Sequence, residues 1–151
     1  MTDLIEGYLR AAGVQHFRGH HDGEYVFLAD VAAQTGRSAE RHGKLHVHLR
    51  SSARSVLEIS ITPDRYYPAA HRGRLADLIA RWGAGVAAWA EVYESCDPAL
   101  VGVVVGAEGR PDGIDGVAGL VDDAVAAAAA LFASLNEQIP AHRTAMLRDA
   151  G

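Results

Sequence analysis

The chain has 151 residues, 49% hydrophobic and 22% charged, with a formal net charge of −5 at pH 7. That length supports one hydrophobic core and is short for two ordinary domains. A net negative charge argues against general nucleic-acid binding, which draws affinity from Lys and Arg at phosphates.

The first residues, Met1-Thr2-Asp3-Leu4-Ile5-Glu6, are acidic where a secretory leader would be basic and then apolar, so a cytoplasmic location is expected. The apolar runs read as shorter than the roughly 18 to 20 residues of a membrane helix, and no membrane association is expected. Cys96 is the single cysteine, which excludes an internal disulfide framework and a cysteine-based zinc site. Basic residues are 13 Arg and one Lys, Lys44, a bias typical of GC-rich genomes such as those of actinobacteria.

In chain order, Leu4, Ile5, Tyr8, Leu9 and Ala12 recur on one helical face over 3–12. Asp3 and Glu6 form a capping-box-like start and Gly13 a stop. Two β-prone runs, 14–18 and 24–29, flank an Asp22-Gly23 turn and predict a hairpin. Residues 33–43 are polar and aperiodic, a loop or lid. Leu45, Val47 and Leu49 alternate with His46, His48 and Arg50, and Leu57, Ile59 and Ile61 with Glu58, Ser60 and Thr62, as in half-buried strands.

Opposed residues in an antiparallel pair share a face, so an odd connection keeps both apolar sets together. A three-residue loop, 51–53, sets His46 against Glu58 but Arg50 against Arg54. A five-residue loop, 51–55, sets His48 against Glu58 and is preferred.

Pro68 stands near the start of a second helix in which Leu75, Leu78, Ile79 and Trp82 share a face, closed by Gly83-Ala84-Gly85. Strands at about 86–94 and 100–108 follow, then a turn over 109–113. A long Ala-rich helix spans about 115–136, its small residues fit for packing on a sheet or a second copy, and a tail follows Pro140. The expected architecture is α+β, one antiparallel sheet with helices on one face, in the order α-β-β-β-β-α-β-β-α. It forms a single domain, 1–151, with its core at about 2–137.

The strands' polar side carries the sharpest chemical constellation. His46 and His48, two apart on a strand, project together and could share a metal with Glu58. His16, His20, His21 or His42 are the further ligands that zinc would require. The plainer reading is a solvated face with a His–Glu cross-strand pair. Arg72, Arg74 and Arg81, with His71, could bind phosphate or an acidic partner, or form a solvated helix face offset by Asp77. Trp82, Trp89, Tyr25, Phe27, Tyr66 and Tyr67 are candidate recognition aromatics, with core packing the expected role of Trp82 on its apolar helical face. Gly83-x-Gly85-x-x-Ala88 follows a helix, the wrong context for a dinucleotide fingerprint, and the familiar hydrolase, nucleotide-binding and zinc-protease motifs do not occur. No cofactor is expected.

The early His21-Asp22-Gly23-Glu24-Tyr25-Val26-Phe27 run, Leu57-Glu58-Ile59 before a Pro-bounded break, and Arg81-Trp82 at a helix end carry a resemblance. Gly102-Val103-Val104-Val105, and Gly113-Ile114 entering a helix with Leu131-Phe132-Ala133-Ser134-Leu135, complete it. Over about 2–137 the chain resembles the YbjN family, whose fold is similar to type III secretion chaperones of the Tir type. It departs from that pattern at Gly83, where an Asn often stands. The resemblance implies a homodimer that binds a protein or peptide and has no catalytic residues. A metal sensor or metal-dependent enzyme on His46, His48 and Glu58, and a regulator that binds an anion or small ligand, are the alternatives.

Overall fold

The computed structural model describes residues 1–30, 44–83 and 87–139. The 33–43 loop with His42, the Ala84–Gly85 helix stop and the tail after Pro140 lie outside the described residues.

Helix α1, Thr2–Ala12, buries Ile5, Tyr8 and Leu9. It ends as expected at Gly13, whose φ of 68° is the left-handed conformation that glycine adopts without steric cost. The expected capping box is absent, because the helix begins at Thr2 with Met1 as its N-cap and Asp3 lies inside the first turn; Glu6 instead accepts a hydrogen bond from the Tyr25 hydroxyl and pairs with Arg18 at 3.5 Å. The contact instead ties α1 to the first two strands.

Those strands, β1 (His16–Arg18) and β2 (Glu24–Asp30), pair antiparallel across a turn in which Gly23 has φ 81°. β3 (Lys44–Ser51) and β4 (Leu57–Pro63) follow, then the two-residue β5 (Tyr67–Pro68) and a 3₁₀ turn, Ala69–His71. Helix α2 (Arg72–Gly83) leads to β6 (Trp89–Glu94), β7 (Leu100–Gly109) and helix α3 (Ile114–Gln138). The seven strands form one antiparallel sheet in the order β1-β2-β3-β4-β7, with β6 on the far side of β7 and β5 on the same side as β4. Among the described residues the expected class and order are met, with β5 and the 3₁₀ turn added.

Strand alternation divides the sheet cleanly. Tyr25, Phe27, Leu45, Val47, Leu49, Leu57, Ile59, Ile61, Val101, Val103 and Val105 are buried on the side that the helices cover. On α3, Val117, Val121, Ala124, Val125, Ala128, Leu131, Phe132 and Leu135 face that layer, and Ala124 and Ala128 allow the helix to approach closely. By length and composition α3 is apolar enough to cross a membrane, which corrects the expectation from run length. Its apolar stripe is nonetheless spent on the sheet, as in a core helix.

The hairpin between β3 and β4 differs from both expected registers. Arg50 opposes Glu58, His48 opposes Ser60 and His46 opposes Thr62. The face assignment survives because the pairing has slipped by an even step. The turn explains the slip: Ser52 N–H donates to the Val56 carbonyl at 2.9 Å, leaving a three-residue loop, with Ser55 at φ 57°. A left-handed residue closing a three-residue loop is a common hairpin solution. The register also exchanges an Arg50–Arg54 opposition for an Arg50–Glu58 ion pair at 2.7 Å.

Candidate functional site

The face of the sheet opposite the helices is formed by the alternate residues of each strand. One row runs across it through paired neighbours: Phe17, Val26, His48, Ser60, Gly106 and Trp89. Its centre is polar and its two ends are aromatic. Phe17 is 67% exposed, Leu28 48%, Trp89 47% and Tyr66 41%. The charged residues of this face include Glu24, Glu58, Glu91 and Glu108 against Arg50 and Lys44, and Arg50 is already paired with Glu58.

His46 and His48 do project from this face, but Glu58 is not beside either as expected. It opposes Arg50 on β3 and Glu108 on β7, and its carboxylate takes the Arg50 Nε hydrogen bond at 2.8 Å. His48 has Glu24 at 3.9 Å, and His46 has Asp64 at 3.7 Å, both beyond hydrogen-bond length. Among the described residues no group of three or more His, Cys, Asp and Glu side chains is placed to hold a metal ion.

On α2, Arg72 pairs with Glu94 at 3.5 Å, while Arg74 and Arg81 are exposed two turns apart. The three guanidinium groups do not converge, since Arg72 and Arg74 differ by about 200° around the helix.

The aromatic candidates separate. Tyr67 is fully buried, which corrects its place among exposed recognition residues: it pairs with Val101 on the helix side of the sheet and lies 3.4 Å from Asn136 of α3. The Arg65 guanidinium stacks over its ring at 4.3 Å and also donates to Asn136. Burial pushes the Tyr67 phenol up to about 12. Tyr66 and Trp89 are on the open face, and Tyr66 borders the same cleft as Tyr93, whose phenol is raised chiefly by burial and further by Tyr66.

Trp89 and Tyr93 lie flat across β7 because their cross-strand partners are Gly106 and Gly102. A Cβ at either glycine would fall within the facing aromatic ring, so the pairing requires glycine there. Sequence reasoning missed this arrangement. Its signal was present: two glycines four apart on one strand and two aromatics four apart on the strand before it.

Beside Tyr93 the sheet opens. β4 pairs with β7 as far as Ile61–Val105, and pairing resumes at Tyr67–Val101. Residues 62–66 therefore face 102–104, two extra residues on one side, which makes a wide bulge. The bulge leaves a cleft of about 420 Å³ lined by His46, Thr62, Asp64, Arg65, Tyr66 and Tyr93. Asp64 and Tyr93 were not among the expected site residues. Pro63-Asp64 inside a strand pattern was the available sign of a break.

Two solved structures share this fold. YbjN of E. coli, described as a proposed transcription regulator, superposes with a TM-score of 0.64 at 14% identity, covering 91% of this chain and 93% of its own. An uncharacterized protein from Methanothermobacter thermautotrophicus gives 0.54 at 11% identity, covering 92% and 99%. No sequence-family model matches the chain, and no curated protein matches its sequence. The chain has a YbjN-like fold.

Proposed function

We propose that this YbjN-like chain is a non-enzymatic, cytoplasmic protein- or peptide-binding module that works as a homodimer, with the open face of its sheet receiving the client. The observation that carries this reading is the contrast between the two faces. One is closed by α1, α2 and α3, whereas the other has no described helix over it and exposes Phe17, Leu28, Trp89 and Tyr66. Exposed large apolar side chains around a polar centre are the composition of a recognition surface. Client-holding chaperones of similar fold supply the analogy, and a regulatory role needs binding but no chemistry.

The test compares native-lysate capture by the wild-type chain and by a Phe17→Ser/Trp89→Ala variant, with light scattering during size exclusion. A dimer mass is expected, together with a reproducible partner that the variant releases. A strict monomer with no partner, or a partner held equally by the variant, overturns the reading.

A further inference from the structure

The bulge cleft is chemically distinct from the rest of the open face. We propose that it is a binding site for an organic cation, an alkylammonium or guanidinium group, with the Asp64 carboxylate as counter-ion and the Tyr66 and Tyr93 rings as walls. As an anchor for a Lys or Arg side chain of a client this rests on the peptide-binding reading; as a pocket for a free amine it stands alone.

Four observations favour that chemistry. Among the described residues the ion-pair partner of Asp64 is His46, at 3.7 Å, a spacing too long for a hydrogen bond and open to a stronger donor entering from the cleft. The Tyr66 and Tyr93 rings both line the cleft, burial raises the Tyr93 phenol, and aromatic ring faces attract cations.

Among the described residues the remaining charge in the lining belongs to Arg65, whose guanidinium is turned to the helix side, over Tyr67 and onto Asn136. It does not make the cleft an anion site. Finally, among the described residues carboxylates outnumber cations across the open face, with Glu24, Glu58, Glu91 and Glu108 against Arg50 and Lys44, in a chain of net charge −5. Such a field draws cations and repels anions. The volume of about 420 Å³ is at the small end of ordinary ligand pockets, sufficient for one side chain or a short amine. A metal ion is poorly served, because His46 and Asp64 supply only two ligands.

The experiment titrates the isotope-labelled full chain with cadaverine and agmatine, with short Lys- and Arg-bearing peptides, and with inorganic phosphate as the anionic control. The expected result is saturable shifts at His46, Tyr66 and Tyr93 with the cations and none with phosphate. Asp64→Asn, at a side chain 63% exposed, should leave the amide spectrum unchanged outside the cleft and weaken binding roughly fivefold. Tyr66→Leu should weaken it roughly threefold.

Shifts with the amines alone support the site and assign its ligand to free amines, and shifts with the peptides support it and assign a client side chain. Silence with all four cations, unchanged affinity in Asp64→Asn, or phosphate binding in their place overturns the site. In that event partner capture still decides the binding-module reading independently.

Discussion

Tyr66 and Tyr67 are neighbours in the chain and on opposite sides of the sheet. Nothing in their types distinguishes them; the bulge at 62–66 and the pairing of Tyr67 with Val101 do. Tyr67 therefore carries a stability role with a definite pH signature. Its phenol and that of Tyr25 are raised from 10.0 to about 12, in both cases chiefly by burial. For Tyr25 the Glu6 carboxylate adds to the effect. A group whose folded pKa lies above its unfolded value stabilises fully below the unfolded value, and that contribution is lost as pH rises towards the folded one. Denaturant midpoints should therefore show no loss from these groups below about pH 10 and a decline between there and about pH 12, with Tyr67 accounting for about 2 to 3 kcal/mol. Tyr67→Phe should flatten part of that decline; an unchanged decline would remove Tyr67 as its source.

At the scale of elements, β6 and β7 form a matched pair of surfaces. Gly102 and Gly106 make room for the rings of Tyr93 and Trp89, and the Tyr93 ring in turn forms one wall of the cleft. Gly102→Ala should displace that ring and destabilise by about 1 to 3 kcal/mol, as overpacking does. Combining it with Tyr93→Ala should cost less than the sum of the two, because the clash needs both partners. Strict additivity in that denaturant-melt cycle would show that the two side chains do not meet. The β3–β4 hairpin teaches a related lesson. Alternation of Leu45, Val47 and Leu49 with His46, His48 and Arg50 was legible as a half-buried strand. The partner of Glu58 was not, because every even shift of register satisfies the same alternation. The short loop closed by Ser52 and Val56, with the Arg50–Glu58 pair, selects among them.

Across the whole molecule the two faces of the sheet have opposite sensitivities. Leu131, 1% exposed beneath the sheet, should cost about 2 to 5 kcal/mol when changed to Ala. Phe17, 67% exposed on β1, should change stability by no more than about 0.5 kcal/mol as Phe17→Ser. Paired urea melts check this, and a large loss at Phe17 would mean that it supports the fold, not a partner surface. The sequence by itself determined the three helices, the six longer strands, their order and the apolar side of each, because those follow from local periods of 3.6 and 2 that the chain carries within a few residues. It also carried, unread, the matched Gly and aromatic spacings. Only the tertiary structure decided that α3, apolar enough for a membrane, is spent on the sheet, that Glu58 belongs to Arg50, that Tyr67 is core, and that Asp64 and Tyr93 border one cleft. Each of those depends on which residues distant in sequence are brought into register, and a local period is unchanged by a shift of two.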